Sequence, residues 1–524
     1  MESLPHTPPV IGPLAPEGLA HAPEEVAQTS EAVAGNRPSL LNLIRKSDAA
    51  NALGGLLASA AIGLGANASP AEASTLRESG SPAAMESNVS ETTTPTPKTY
   101  SRSNAVWSYF GDPRAVYMPE RQSTVVGWTT NGGSIKIGKF DKQGNQQVQT
   151  IDKITPPDDH NNPSLHVIEE GKNKGRIMAF YSQHAGRYLG RATSKMRMRM
   201  SSKPYSIKEW DAPRTIPTDT KGDLGYTYPN PVSVEGPGGK EEIQLYFRGD
   251  SWQPTYVKTR SDGKYWTKPR VLVEGTNDAG YRGRTLQRPY AKYASRGKTT
   301  YTAFTNAHPS SYPTSIYFAK QRDNKFYGAD DTEIGTIKSL PLELDQADKV
   351  YDQASGQGRA WVQDVAADKE GNPVILYTRR KPLGGDTYQY ATFKDGQWTD
   401  RKIVSNNAIF NDYYTPGATL DHEDPNMVYL SRLVDGKKQT EMWATADEGK
   451  SWSYDTISRS VRGDPNYYGN TRPVSPRGMT GDKSQVFWLS GYYKDFRGEY
   501  RTKLRYTNAP TGDLLRDADE IAGK

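Results

Sequence analysis

One short unit recurs along the chain and limits what it can fold into. It is a β-rich run, a Gly/Asp/Asn turn, an aromatic residue two or three positions on, then a second β-rich run. It occurs as Tyr256…Asp262-Gly263-Lys264-Tyr265-Trp266, as Tyr317…Asn324-Lys325-Phe326-Tyr327, as Tyr390…Asp395-Gly396-Gln397-Trp398 and as Trp443…Asp447-Glu448-Gly449-Lys450-Ser451-Trp452. Ile137…Asp141-Lys142-Gln143-Gly144 is a weaker copy, and strand signals for a first unit are faint. Between turns lie short apolar runs such as Glu242–Phe247, Pro373–Tyr377 and Gln485–Leu489, and no segment keeps a helical period for three turns. Short strands at this spacing without helices indicate an all-β sandwich, barrel or propeller. A repeat interval of about 50 to 70 residues across about 410 residues gives about seven units, so the expected fold is a seven-bladed β-propeller.

The copy Thr445-Ala446-Asp447-Glu448-Gly449-Lys450-Ser451-Trp452 matches the Asp-box pattern S/T-x-D-x-G-x-x-W of sialidase-type propellers. Its logic is a tight hairpin: Asp caps turn amides, Gly takes a positive φ and Trp packs under the loop. It is a structural signature, remote from any active site.

Composition divides the chain. Residues 1–99 hold no Phe, Tyr or Trp, although the whole chain has 32 Tyr, 11 Phe and 10 Trp. Such a tail, rich in Ala, Ser, Pro and Thr, cannot bury enough apolar surface to fold. The expected organisation is a disordered export or targeting tail over residues 1–100, a propeller over 101–510 and a C-terminal tail over 511–524. Within the tail, Arg45 and Lys46 precede an apolar run from Ala52 to Ala66 and two small-x-small sites, the elements of a secretory signal. The run is too short for a stable membrane span. Its late position and Ser/Pro-rich flank also resemble the leader of a bacterial effector injected into a host cell, so secretion and injection both stay open. The chain contains no cysteine, which excludes disulfides, thiolate metal sites and cysteine nucleophiles. The formal net charge is +6, and the tail is acidic, so the folded part is more basic still and suits an anionic partner.

Candidate chemistry lies in polar, turn-like runs. His160 stands in Asp158-Asp159-His160-Asn161-Asn162-Pro163, His184 ends Phe180-Tyr181-Ser182-Gln183-His184, and His308 follows Phe304-Thr305-Asn306-Ala307. His166 lies inside a strand-like run and His422 in the turn-like Asp421-His422-Glu423-Asp424-Pro425. Together with Tyr226-Thr227-Tyr228-Pro229-Asn230-Pro231, Leu245-Tyr246-Phe247-Arg248-Gly249, Arg359-Ala360-Trp361-Val362-Gln363-Asp364 and Arg472-Pro473-Val474-Ser475-Pro476-Arg477-Gly478, this ordered series resembles the BNR-4 propeller family, which includes the seven-bladed ulvan lyases. The resemblance covers roughly residues 105 to 507.

The resemblance implies a basic canyon on one propeller face and β-elimination at a uronic acid, with His160, His184, Tyr228 and Arg248 as the site. His308, Asn161 and Asn162 are expected to contact substrate. The chemistry asks for such residues. A uronate carboxylate must be neutralised before C5 loses its proton, and a guanidinium fork suits that task. A base takes the proton and an acid protonates the leaving oxygen at C4. Tyr, with an ordinary pKa of about 10, needs nearby positive charge to act as base. Tyr228 and His160 are assigned to proton transfer, with the order open, and His184 and Arg248 to neutralisation. Each has a plain structural alternative: ring packing for Tyr228, a rim ion pair for Arg248, a loop staple between two aspartates for His160. No metal or cofactor is expected, and the partner expected is an acidic polysaccharide acted on by a monomer.

Two other classes fit the fold. A sialidase-like glycoside hydrolase would need an arginine triad, but Arg214-Thr215-Ile216-Pro217 lacks the aromatic of the hydrolases' opening motif. A non-catalytic propeller binding a host glycan or protein needs no chemistry at all. Nucleic-acid binding is not expected, because the only dense basic run is the alternating Lys195-Met196-Arg197-Met198-Arg199.

Overall fold

The computed structural model describes residues 98–99 and 104–510, apart from 142–144, 185–193, 219–224, 250–251, 261, 278–286, 382–383, 407–414, 460–466 and 481–482. Apart from Lys98–Thr99, the expected tails, including the apolar run Ala52 to Ala66, lie outside the described residues.

Seven antiparallel sheets follow one another along the chain. Blade 1 is Ala115–Met118, Ser123–Thr129, Ser134–Asp141 and Gln146–Lys153; blade 2 is Ser164–Val167, Ile177–Tyr181, Arg197–Met200 and Arg214–Thr215. Blade 3 is Thr227–Glu235, Glu241–Arg248, Pro254–Arg260 and Arg270–Val271. Blade 4 begins Ala291–Arg296, Thr299–Thr305, Ile316–Arg322, and is extended by Lys325–Tyr327, Glu333–Thr336 and Asp348–Tyr351. Blades 5 and 6 start at Arg359 and Ala418, each with four strands. Blade 7 is Tyr468–Val474, Lys483–Tyr493 and Tyr500–Pro510, and its outermost strand is Lys98–Thr99 from the chain's other end. The propeller is therefore closed by residues that the expected boundary at 101 assigned to the tail. Pairing a strand from one end of the chain with the last blade joins the ring through hydrogen bonds that neither end supplies alone.

Every expected repeat turn falls between the third and fourth strands of its blade: Asp141 in blade 1, Asp262 in blade 3, Asn324 in blade 4, Asp395 in blade 5 and Asp447 in blade 6. In the Asp-box, Asp447 Oδ1 accepts from Ser451 N at 2.9 Å and Oδ2 from Ser451 Oγ at 2.7 Å, while Trp452 Nε1 donates to Gly449 O at 3.2 Å. Trp266 repeats that last bond to Gly263 O at 3.2 Å.

The second strand of a blade is flanked by strands on both edges and covered on both faces, so Ser123–Thr129 and Thr299–Thr305 are buried throughout. The apolar clusters sit between neighbouring blades: Met178, Met198, Ile243 and Leu245 join blades 2 and 3, and Phe140, Phe487, Leu504 and Tyr506 join blades 7 and 1. Alternation explains the basic run. Met196, Met198 and Met200 point into the cluster between blades 2 and 3, while Arg197 reaches Asp152 at 3.1 Å and Arg199 donates both to Asp211 O, at 3.0 Å, and to Ile151 O of blade 1. Those arginines brace blades 1 and 2.

Candidate active site

Antiparallel pairing puts the start of a blade's first strand beside the end of its second. Chemistry-bearing residues from four blades gather at that end of the channel. His160 precedes the first strand of blade 2 and His184 follows its second. Tyr228 opens the first strand of blade 3, and Arg248 ends its second, paired with Thr227. Tyr290 and His308 hold the same places in blade 4, and in blade 7 Arg472 lies within the first strand and Tyr493 ends the second.

Asp158 organises the centre. It caps the 3-10 turn Asp159–Asn161 by accepting from His160 N at 3.0 Å. Its Oδ1 meets His160 Nδ1 at 2.7 Å and its Oδ2 meets His184 Nδ1 at 2.9 Å. The two imidazoles stack, with centroids 3.9 Å apart and 15° between planes. Burial by itself would lower His160, but the carboxylates of Asp158 and Asp159 outweigh it and raise its pKa to about 9. Burial and the neighbouring His160 charge lower His184 to about 4, against the pull of Asp158. Asp158 is lowered well below the carboxylate range because both imidazoles oppose the cost of its burial. Two rings in contact cannot both carry a charge cheaply, so one is cationic and the other neutral.

Tyr228 lies 5.2 Å from His160, centroid to centroid, and the Arg248 guanidinium sits 4.6 Å above its ring. Arg248 Nε donates to Thr227 Oγ1 at 2.8 Å, and Nη1 reaches Tyr290 Oη at 3.3 Å. Phe110 and Tyr290 pack around the Tyr228 ring at 5.4 and 5.8 Å. Tyr228 has φ +58°, and the first strand of blade 3 shifts register between Thr227 and Asn230. Arg472 repeats the device in blade 7, with φ +54° and a register shift between Thr471 and Val474. Both residues precede a proline, which cannot donate to the ladder and is found in strands at edges or bulges. A bulge re-aims its side chain, here toward the channel mouth.

Arg472 was not expected at the site. Its guanidinium meets Asp159 Oδ2 at 2.7 Å, and Tyr493 Oη donates to the same oxygen at 2.8 Å. It lies 4.3 Å over Tyr109 and 4.1 Å over Tyr493. This anchor ties blade 7 to the turn that carries His160, across 313 residues of sequence. The Pro after Arg472 was its one legible signal. Phe496, 5.2 Å from His160, had none.

The expected substrate contacts divide. His308 stands 4.9 Å from Tyr290 and 5.8 Å from Trp361, on the same wall as Arg248. Asn161 and Asn162 are buried, and their carbonyl oxygens hold the loop: Asn161 accepts from His184 N at 3.0 Å, Asn162 from Ser108 N at 3.0 Å. His166 is a strand residue as expected, bonded to Glu241 at 2.7 Å, and His422 bonds Asp364 at 3.1 Å; both are away from this cluster. Asp158, His160 and His184 each offer a donor atom within 4.8 Å of the others, a set able to hold a cation only if the Nδ1 protons that now bridge to Asp158 were displaced. Among the described residues, no helix is long and apolar enough to cross a membrane.

Among solved structures, an ulvan lyase of polysaccharide lyase family 25 bound to -[GlcA(1-4)Rha3S]- superposes with TM-score 0.58 at 14% identity, over 79% of this chain and 96% of that one. A second structure of an ulvan lyase of that family gives 0.57 at 14% identity over the same shares. A point mutant of the NanB sialidase of Streptococcus pneumoniae gives 0.39 at 10% identity, over 75% and 84%. At 14% identity the likeness to the two ulvan lyase structures is one of fold. No curated protein matches the sequence. The family model for BNR repeat-containing proteins matches residues 115–406, more than half of the chain, and the protein belongs to that family, BNR-4.

Proposed function

We propose that the cluster around Tyr228 is the active site of a polysaccharide lyase that cleaves a uronate-containing polymer by β-elimination. The observation that carries the reading is the arrangement of two cations about one phenol: Arg248 4.6 Å above the Tyr228 ring and His160 5.2 Å beside it. Positive charge on two sides favours the phenolate and the carboxylate of a bound uronate alike. His160, with a pKa of about 9, carries its proton at neutral pH and has none to accept. It suits the acid, and Tyr228 the base. His184, at about 4, is uncharged at neutral pH, so the expectation that it neutralises the carboxylate loses its electrostatic ground. Arg248 takes that task, and His184 positions Asp158 and the His160 ring.

In the step, the C5–H bond breaks and its proton passes to the Tyr228 phenolate. The electron pair forms the C4=C5 double bond, the C4–O bond breaks, and the leaving oxygen takes a proton from His160. Support for a uronate comes from the basic folded part and from the neighbouring ulvan lyase's ligand, -[GlcA(1-4)Rha3S]-. An extracellular place of action suits both this substrate class and the export leader expected before residue 100.

The test is a panel of polyuronates assayed by ultraviolet absorbance of the unsaturated product, for the parent and Arg248→Lys. Lysine keeps the charge and loses the fork, so turnover falls while the melt stays near that of the parent. A parent that releases no unsaturated product from any member would sink the lyase reading and favour a binding propeller.

A further inference from the structure

Four arginines are buried among the described residues: Arg114, Arg248, Arg288 and Arg472. Arg114 pairs with Asp112 at 2.8 Å and Arg472 with Asp159 at 2.7 Å, while Arg248 donates to Thr227. Arg288 differs. It is 3% exposed, and its Nε and Nη2 have no hydrogen-bond partner among the described residues. A buried cation without a counter-charge is strongly unfavourable unless something supplies one. The two orphaned nitrogens are the pair whose hydrogens leave the same edge of the guanidinium plane, the edge that grips an oxyanion side-on.

The surroundings hold that edge in place. The guanidinium lies 4.4 Å over the Trp252 ring, a contact that fixes its position while its Nε and Nη2 edge stays buried and unpartnered among the described residues. Trp252 closes a turn by donating its N–H to Gly249 O at 2.9 Å and has φ +64°, a strained conformation for so large a residue. That turn directly follows Arg248. Gln253, next in the turn, donates to Gln287 O at 3.0 Å and accepts from Gly275 N at 2.8 Å, clamping the segment that carries Arg288. Two residues further along that segment, Tyr290 Oη accepts from Arg248 at 3.3 Å. Arg248 and Arg288 thus belong to one wall, joined through both the turn and the segment.

We infer that Arg288 is a second anion subsite, which binds a carboxylate or sulfate ester on a sugar residue next to the one held by Arg248. This rests on the lyase reading for the identity of its neighbour and deepens it: the polymer carries an acidic group on successive residues, and Arg288 selects for that pattern. Arg288 is a binding residue and takes no part in proton transfer.

The experiment uses the full chain with ulvan oligosaccharides, native and chemically desulfated, measured by calorimetric binding and by elimination kinetics for the parent, Arg288→Gln and Arg288→Met. Loss of one charge-assisted pair should weaken binding and raise KM about 10- to 100-fold, with the loss in KM rather than kcat. If the anion is a sulfate, desulfation costs the parent the same factor and costs Arg288→Gln nothing more. If it is a carboxylate, the Arg288→Gln penalty persists on the desulfated ligand. Should Arg288→Met bind and turn over like the parent, Arg288 is only a stacking partner for Trp252 and the subsite is overturned. It is equally overturned if Arg288→Gln melts early and Arg288→Met restores both melt and affinity. Binding that depends on Arg288 without any elimination would uphold the subsite while sinking the lyase reading. Elimination indifferent to Arg288 would do the reverse.

Discussion

The two ends of the central channel carry similar side chains and make different use of them. At the far end, Glu169, Glu170, His166, Glu241, His422 and Arg477 surround a cavity of about 790 Å³. At the near end, the cleft beside His160, Tyr228, Arg472 and Phe496 encloses only about 10 Å³. The large space is the chemically quieter one. There His166 has Glu241 and His422 has Asp364, one imidazole to one carboxylate, at 2.7 and 3.1 Å. At the near end two stacked imidazoles share Asp158: the carboxylates of Asp158 and Asp159 raise His160 to about 9, while burial and the His160 charge lower His184 to about 4. Unequal sharing of charge, more than volume, marks the end suited to acid–base work.

The sharpest way to break this comparison is Tyr228→Phe. It removes one hydroxyl and keeps the ring among Phe110, His160 and Tyr290. Elimination should fall by about 10²–10⁴-fold with the melt unchanged. Near-parent turnover would remove Tyr228 from proton transfer, and a lost fold would make it a packing residue.

Next is Asp158→Asn, which leaves His160 and His184 without their common counter-charge. A cost of about 3 kcal/mol in stability is expected, read by denaturant titration. A loss no larger than that of Glu241→Gln would mean that the shared carboxylate is no more demanding than the single pair.

Titration separates the two imidazoles. His160 is raised above its ordinary 6.5, so its contribution is complete below about 6.5 and is lost as pH rises through about 9. His184 is lowered, so its contribution is complete above about 6.5 and is lost as pH falls toward about 4. Melting temperature against pH should lose its alkaline decline in His160→Gln and part of its acid decline in His184→Gln. Elimination by the parent should also fade above about pH 9 as the acid loses its proton. An alkaline limb unchanged in His160→Gln would refute the assignment.

Glu241→Gln is the far-end control, expected to cost about 1–3 kcal/mol as a buried partner is weakened, with kcat unaltered. A large fall in kcat would show that the two ends are coupled. The smallest effect is expected from removing residues 1–92, ahead of the compact unit Thr93–Lys524. The cooperative melt should persist, whereas removal through Thr99 takes away the strand that closes blade 7 and should lower the melt.

Much of this was legible because it is local. Strand and turn composition repeats at short range, so the turns at Asp262, Asn324, Asp395 and Asp447 could be aligned into blades before any packing was known. Asp158-Asp159-His160 also announced itself, since that run does not belong inside a regular strand, whereas Tyr228 was reached only through the family resemblance. Three things were decided only by the tertiary structure. Ring closure pairs Lys98–Thr99 with Tyr506 and Arg505, and no local pattern in two residues foretells such a partner. The anchor of Arg472 on Asp159 joins residues 313 positions apart, which meet only because the last blade returns to the first. The protonation of His160 and His184 is set by their burial, by the 3.9 Å between their rings and by the carboxylates of Asp158 and Asp159. Sequence determines which groups can ionise, whereas charge interactions depend on separation and burial, which the fold alone supplies.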